Sequence, residues 1–285
     1  MRLVSPRVLE FDRPLLQGVI LSRPNRFIMK VELEGKEFDC HCPATGKILD
    51  IDFNRSTRIP CLLSEPNSAV KRSAKKPRLT SYTVEAISLD SVLSEQKSFI
   101  GINQVRVNSF FEHFLRANEF SSFLPECNGE NLRREVPLGQ SRLDFLIGST
   151  YVELKTPLLL HQLKTEIPPH IPLLSSPLSP SKKGKRKTVI QSPRLDTDRL
   201  TKHFTELANS LNEEDKRAAA VICLVYMYDA GPFQVPPNPD PKIVEAVSRA
   251  VERGVKQYQV NMEITPTQVK ILDFFPLHMF SKPSL

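Results

Sequence analysis

The sequence predicts a two-domain protein in which a small β-barrel or sandwich over residues 1–90 precedes an α/β domain over residues 91–285. Three observations support this prediction. The chain of 285 residues is long enough to bury two cores. Its first ninety residues contain short strand-like segments separated by turns, without a strong helical pattern. From residue 91 onward, helical and strand-like segments alternate, as they do in α/β folds.

Five segments of the first domain have the composition of β-strands: GVILSR, RFIMKVELEG, KEFDCHC, TRIPCLL and SYTVEAISLD. A break at PATGKI separates the third segment from the fourth. Between the last two segments lies the basic run AVKRSAKKPRL, which contains Lys75 and Lys76. Such a run is either a solvated loop or an arm that contacts phosphates.

The second domain begins with an amphipathic helix, QVRVNSFFEHFLRANEF, followed by a charged hairpin. The segments RLDFLI and TYVELK read as the two strands, because Gly148-Ser149 between them is a favourable two-residue turn. Counting outward from this turn places Asp144 directly opposite Glu153 on one face of the hairpin. Strand alternation puts Lys155 on the same face as Glu153. Three charged side chains should therefore lie together.

This array suits metal-dependent phosphodiester cleavage. Two facing carboxylates repel each other unless a proton or a cation lies between them. Asp144 and Glu153 are the predicted ligands of Mg²⁺ or Mn²⁺, and Lys155 completes the predicted catalytic set beside them. Glu112, beside the apolar stripe of the preceding helix, is either a third ligand or a simple boundary residue. The D-(x)8-E-x-K pattern is similar to that of PD-(D/E)xK nucleases; the alternative is a hairpin with one solvated face.

Residues 164–193 differ in composition from the rest of the domain. The stretch contains six prolines, five serines and six basic residues, a composition that does not form a packed core. It is predicted to be a disordered insertion. A DNA-contacting arm, a nuclear-import signal and a spacer without a further role all remain open as its function.

The remaining elements alternate between helix and strand. The helix TDRLTKHFTELANSL has an apolar face and a polar face, and the polar face carries Arg199, Lys202, His203 and Glu206. The apolar run RAAAVICLVYMY is typical of a strand buried on both sides of a mixed sheet. The helix PDPKIVEAVSRAVERGV is bounded by Asp240 as its cap and by Gly254, and the strand YQVNMEI follows.

Charge and cysteine content indicate the class of partner and the compartment. The net charge of +7 favours a polyanionic partner. The five cysteines are an odd number without framework spacing, which is typical of reduced intracellular thiols, and Cys40-His41-Cys42 lacks the second pair that a zinc site needs. No apolar run resembles a membrane span or a signal peptide. The sequence therefore predicts a soluble intracellular protein, cytoplasmic or, if the source is a eukaryote, nuclear.

Several segments occur in the order found in one family: NRF, HCPATG, SRLDF with YVELKT, TDRLTKHFTEL and VERGV. Over most of its length the chain resembles the sugar fermentation stimulation (SfsA) proteins. This resemblance implies an N-terminal OB-like small β-barrel, a restriction-endonuclease-like mixed α/β domain and DNA binding. It also implies a metal site at the hairpin acids. The predicted nucleic-acid-binding residues are Arg26, Lys75, Lys76, Arg142, Arg199, Lys202 and His203.

Three features depart from the family pattern. Ala44 stands where the family usually has asparagine, so a polar contact of that side chain is in question. Leu200 stands where the family usually has glycine, which would crowd a close backbone approach on that side of the helix. The insertion over residues 164–193 is not a family feature.

These observations predict a DNA-binding protein with a divalent-metal-dependent nuclease site. The alternative is a non-catalytic nucleic-acid-binding regulator on the same nuclease-like fold, and a scaffold that binds partners through the insertion ranks third. DNA is expected ahead of RNA, and no membrane partner is expected. The sequence leaves the oligomeric state open, with a homodimer compatible with it.

Overall fold

A computed structural model describes residues 7–54, 58–65, 80–128, 130–158, 162–174, 197–211, 219–235 and 239–279. Each of the five segments predicted as strands of the first domain forms one. The first seven strands are β1 (Val8–Glu10), β2 (Leu16–Asn25), β3 (Ile28–Leu33), β4 (Lys36–His41), β5 (Ile59–Ser64), β6 (Tyr82–Ile87) and β7 (Ile100–Gly101).

Five of these strands close into a barrel. They are hydrogen-bonded in the order β4-β3-β2-β5-β6, and a parallel pairing of β4 with β6 joins the two ends. Cys40 lies opposite Tyr82 in that pairing, and His41 lies opposite Thr83. Alternation along β3 buries Met29 and Val31 in the barrel interior. This topology is the OB fold.

The remaining elements form a mixed α/β domain. They are α1 (Gln104–Arg116), β8 (Leu132–Leu138), β9 (Ser141–Ile147), β10 (Thr150–Lys155), α2 (Thr197–Ser210), β11 (Ala219–Tyr226), α3 (Pro241–Glu252), β12 (Lys256–Ile264) and β13 (Gln268–Pro276). The sheet has the order β1-β13-β12-β11-β10-β9-β8. β11 is parallel to both of its neighbours, β10 and β12, and the outer pairings are antiparallel.

Helices cover both faces of this sheet, which explains the continuous apolar run in β11. On one face, Cys223 and Val225 join the core cluster that contains Phe111 and Phe114 of α1. On the other face, the alternate residues of β11 join the cluster that contains the apolar residues of α2 and α3. With helices on both sides, every residue of β11 after Ala219 is buried. In the described part of the chain, no helix is long and apolar enough to cross a membrane.

Two short strands cross the predicted domain division at residue 90. β1 precedes that residue but pairs with β13 of the second sheet, and β7 follows it but pairs with β6 of the first. At β7, a Cβ on Gly101 would lie 2.5 Å from the Cβ of Met227, so the close approach to the end of β11 requires glycine. Strands of two or three residues are too short to show a periodicity in the sequence.

The prediction of disorder from Lys164 onward is wrong for residues 164–174. Ile171 is 5% exposed in the core, and the segment continues along the barrel loop. The backbone amide of Asp52 donates to the carbonyl of Pro172 over 2.8 Å, and the amide of Leu174 donates to the carbonyl of Asp50 over 2.8 Å. Proline lacks only the backbone N–H, so the carbonyl of Pro172 can still accept its hydrogen bond, and the apolar side chains between the prolines can pack. Residues 175–193 of the predicted insertion lie outside the described residues.

Residues 164–174 should therefore contribute to stability. We expect Ile171→Ala to lower the free energy of unfolding by about 2–4 kcal/mol, the usual cost of removing a buried isoleucine. Leu174→Ala in the same segment is the matched control, because that side chain is 47% exposed. It should change stability by less than about 0.5 kcal/mol in the same denaturant titrations. Equal effects of the two substitutions would show that the segment does not pack.

Candidate active site

The β9–β10 hairpin has the predicted register near its turn and departs from it at the acids. Gly148 has a positive φ of 59° in the turn. Thr150, Tyr151 and Val152 lie opposite Ile147, Leu146 and Phe145, as predicted. The ladder ends at that third pair, so Asp144 and Glu153 are not partners in it. The Leu154 amide instead donates to Oδ2 of Asp144 over 2.7 Å, so that carboxylate replaces a strand carbonyl as the acceptor.

Asp144 lies between β10 and α1. Nδ2 of Asn108 donates to its other oxygen, Oδ1, over 2.7 Å. Burial and the negative charge of Glu153 together raise the pKa of Asp144 to about 6, although both hydrogen bonds and Lys155 oppose this shift.

The α1 residue that contacts Asp144 is Asn108 rather than Glu112. The sequence left Glu112 open as a third ligand or a simple boundary residue, and its carboxylate lies 2.7 Å from the guanidinium of Arg116 and 3.0 Å from that of Arg134. Asn108 lies one helical turn before Glu112 on the same side of the helix. That spacing was the only signal in the sequence that could have indicated it.

Glu153 is at the centre of the site and is 2% exposed. Its Oε1 atom accepts hydrogen bonds from Nζ of Lys155 and from Nδ1 of His203, and these two nitrogens lie 3.1 Å apart. Burial alone would raise the pKa of Glu153, but the bond to His203 and the charge of Lys155 outweigh it and hold the pKa below its usual value. The environments of Asp144 and Glu153 thus push their pKa values apart.

His203 does not lie on the predicted nucleic-acid-binding surface. The sequence placed it with Lys202 on the polar face of α2, but its side chain is 4% exposed and reaches Glu153. Leu200, where the family pattern has glycine, is a buried core residue of α2 itself. Its packing helps to hold the helix that carries His203.

The second oxygen of Glu153 can take a cation. Oε2 is buried and has no hydrogen-bond partner among the described residues. A buried carboxylate oxygen without a partner is costly, and a bound divalent ion would remove that cost. Among the described residues, no group of three or more His, Cys, Asp or Glu side chains could hold a metal. Mg²⁺ and Mn²⁺ are commonly bound by one or two carboxylates together with water and substrate phosphates, so the carboxylates of Asp144 and Glu153 are a donor set that fits either ion without a third protein ligand.

Zinc ligation by the Cys40-His41-Cys42 segment is not supported by the directions of the side chains. Cys40 and Cys42 are buried in the barrel, whereas His41 between them is exposed. Burial also raises the pKa of the Cys40 thiol to about 11, which keeps it protonated. All five cysteines are buried and free.

Two predicted basic residues lie near the turn between β8 and β9. Nζ of Lys202 donates to the carbonyl of Gln140 over 3.2 Å, and the Gln140 amide donates to Glu206 over 3.0 Å. These bonds attach the turn to α2. Arg142, two residues further along β9, is exposed. The side chain of Arg199 and all of Lys75 and Lys76 lie outside the described part of the protein.

Arg26 lies at the tip of the β2–β3 hairpin, in the barrel. Its guanidinium is 4.6 Å from the centroid of the Phe27 ring, which is 44% exposed. The tip is fixed, because Oδ1 of Asn25 accepts from the amides of Phe27 and Ile28, over 2.8 and 3.1 Å. The amide of Cys42 donates to the carbonyl of Phe27 over 2.7 Å. A rigid, exposed aromatic ring beside a cation is suited to stacking on a nucleobase.

The HCPATG segment supports this tip through its main chain. Arg23 donates to the carbonyls of Ala44 and Gly46 over 2.6 and 3.0 Å, and to the carbonyl of Arg26 over 3.1 Å. The Ala44 side chain is buried. Because the contacts of residue 44 described here are made by its carbonyl, they do not depend on the asparagine that the family usually has.

Comparison with known proteins gives matches to two domains of one family. The model of the SfsA N-terminal OB domain matches residues 21–94. The model of the sugar fermentation stimulation protein RE domain matches residues 185–268. The hairpin with Asp144, Glu153 and Lys155 lies between these ranges, and its contact with His203 joins it to the second.

Relatives match almost the whole chain. A sugar fermentation stimulation protein homolog from Synechococcus sp. (strain JA-2-3B'a(2-13)) is 27% identical and covers 94% of this chain and 95% of its own. A homolog from Gloeobacter violaceus is 29% identical over 91% of this chain and 93% of its own. The solved structure of Pyrococcus furiosus SfsA in complex with Ca²⁺ is 19% identical, covers 95% of this chain and 98% of that chain, and has a TM-score of 0.59. That similarity shows a shared fold.

The raised pKa of Asp144 should make its charge destabilising. Because the folded protein binds this proton more tightly than the unfolded chain, the contribution of Asp144 to wild-type stability should fall between roughly pH 4 and pH 6 and stay constant above that range. Asp144→Asn removes the charge. We expect it to raise the free energy of unfolding at pH 8 by on the order of 2 kcal/mol, and the two proteins to converge near pH 4.

Denaturant titrations across this pH range measure the difference. Asp12→Asn, at an exposed carboxylate, is the control for a change of surface charge and should differ little from the wild type. A stability difference between Asp144→Asn and the wild type that stays the same from pH 4 to pH 8 would show that burial does not penalise this charge.

Proposed function

The chain belongs to the sugar fermentation stimulation (SfsA) protein family, and we propose that it binds DNA and cleaves phosphodiester bonds with a divalent metal ion held at Asp144 and Glu153. The observation that carries this proposal is the buried, unpartnered Oε2 atom of Glu153 beside a second carboxylate whose pKa is raised. The first feature is a carboxylate oxygen without a donor, and the second shows that burial and the charge of Glu153 disfavour a negative charge on Asp144. A metal cation would stabilise both groups.

The proposed ligands are Oε2 of Glu153 and the carboxylate of Asp144, with Mg²⁺ or Mn²⁺ as the metal. That the relative from Pyrococcus furiosus was solved with Ca²⁺ supports a divalent ion. When bound, such an ion would lower the pKa of a water molecule and neutralise phosphate charge. Lys155, with 16% of its side chain exposed, is placed to orient that water or to stabilise charge that develops on the phosphate.

The proposed nucleic-acid contacts come from both domains. Arg26 and Phe27 present a cation and an aromatic ring at the barrel tip, and Arg142 and Lys202 present cations near the turn between β8 and β9. The net charge of +7 favours association with a polyanion in general. Affinity should therefore be electrostatic and nearly independent of base sequence.

A non-catalytic DNA-binding regulator is the second candidate. It is favoured by the hydrogen bonds that the site already makes without a metal. Asn108 and the Leu154 amide satisfy Asp144, and Lys155 and His203 satisfy one oxygen of Glu153. Hydrogen bonds of this kind can keep the same arrangement of side chains in a protein that no longer catalyses a reaction.

Cleavage assays distinguish the two candidates. We expect purified protein to cleave labelled DNA with Mg²⁺ or Mn²⁺ and not with chelator, and Asp144→Asn and Glu153→Gln each to lower the rate by roughly 100-fold or more. Glu112→Gln is the matched control, because its carboxylate is held by Arg116 and Arg134, and it should retain the activity. Binding without cleavage of single- or double-stranded DNA or RNA by the wild type would favour the regulator.

Binding isotherms at several salt concentrations test the nucleic-acid surface. If Arg26 contacts one phosphate, Arg26→Ala should reduce the slope of log K against log salt by about 1. Arg58→Ala is the control on the same barrel, because that guanidinium is paired with Glu32 over 2.7 Å. Wild-type affinity that does not change between low and physiological salt would remove nucleic acid from the partners of this protein.

A further inference from the structure

The contact between His203 and Glu153 is not explained by metal ligation or by the phosphate contact predicted for that histidine. His203 is 3% exposed, and its Nδ1 atom reaches Oε1 of Glu153, which is the oxygen proposed here to face away from the metal. Its neighbours along α2, Phe204 and Leu207, are fully buried in the core. The imidazole therefore has a fixed position next to the carboxylate.

The chemistry of the three groups assigns the proton on the ring. An ionised carboxylate only accepts hydrogen bonds, and an ammonium only donates them. Lys155 therefore donates to Oε1 of Glu153. A hydrogen on Nδ1 of His203 lets the ring donate to the same oxygen, and Nδ1 then accepts nothing from Nζ of Lys155 across the 3.1 Å between the two nitrogens. Two donors converge on Oε1, whereas no described residue donates to Oε2.

We propose that His203 is a positioning residue that holds Glu153 by Oε1 and so presents Oε2 to the metal. This inference rests on the proposed metal site. The terminal torsion of a glutamate is soft, so the carboxylate can rotate when one donor is lost. Without His203, Lys155 can pair with either oxygen and compete with the cation for Oε2. With His203 present, both donors stay on the opposite side of the carboxylate. Carboxylates that bind metals are commonly oriented by hydrogen bonds from such outer neighbours.

Two amide substitutions separate the role of the Nδ1 donor from that of the ring. Nδ2 of asparagine is bonded to Cγ, as Nδ1 of histidine is, so His203→Asn keeps a donor close to the same place. Nε2 of glutamine lies one bond further out, and leucine has no donor. If the Nδ1 hydrogen bond is what matters, asparagine should restore the function that glutamine and leucine lose.

Calorimetric titration of the full chain with Mn²⁺ measures the effect without reference to cleavage. We expect His203→Gln and His203→Leu to weaken Mn²⁺ binding by about 10-fold to 100-fold, and His203→Asn to stay within about threefold of the wild type. Phe204→Leu is the matched control, because it disturbs the packing of the same helix without removing a donor. It should lower thermal stability while leaving Mn²⁺ affinity near the wild-type value.

The outcomes separate this inference from the proposed function. If all His203 variants bind Mn²⁺ like the wild type, or if His203→Asn is as weak as His203→Leu, His203 does not act through its Nδ1 donor and the inference is wrong. If the wild type itself binds no Mn²⁺, the proposed metal site fails. The Glu153 contact is then decided by thermal unfolding of His203→Leu, Glu153→Gln and the double variant. Non-additive shifts in Tm would support a fixed His203–Glu153 pair, and additive shifts would overturn it.

Discussion

The charge of Glu153 is buried where water does not reach it, and most of the site follows from that constraint. A carboxylate that is 2% exposed needs donors from the protein itself. Lys155 supplies one from the same strand, and His203 supplies the other from a helix 50 residues further along the chain. Helix α2 can deliver His203 only because its apolar residues pack against α3 and the sheet. The stabilisation of the Glu153 charge therefore depends on the packing of the helical layer.

Rules of local sequence predict the hairpin well until a side chain competes with the main chain. Counting from the Gly148-Ser149 turn gives the observed register for three residue pairs. The ladder then ends, because the Asp144 carboxylate takes the Leu154 amide that a strand carbonyl would have accepted. The alternation of apolar and polar residues does not show which acceptor the Leu154 amide takes. The pattern brought the two acids and Lys155 together, but their orientation depended on a hydrogen bond between strands.

Residues contributed by the helices were harder to assign for a different reason. A polar helix face that points toward a buried site has the same periodicity as one that points toward solvent. The periodicity therefore assigns His203 and Lys202 to the same surface. On α1, the packing of Phe111 and Phe114 decides which turn of the helix meets Asp144, and this brings Asn108 to the carboxylate. The predicted apolar stripe of α1 was right, but the rotation and height of a helix above a sheet come from tertiary contacts.

The exchange of strands at the domain junction affects how this protein can unfold and how it can be divided. A fragment that ends at residue 90 would keep β1 without the strand it pairs with, and would lose β7 from the edge of β6. The complementary fragment would expose the backbone of β13 as an open sheet edge, the kind of surface that promotes aggregation. Residues 164–174 add a third connection, since their backbone is bonded to the barrel loop at Asp50 and Asp52. Three connections thus couple the barrel to the α/β domain, although each has the topology of an independent fold.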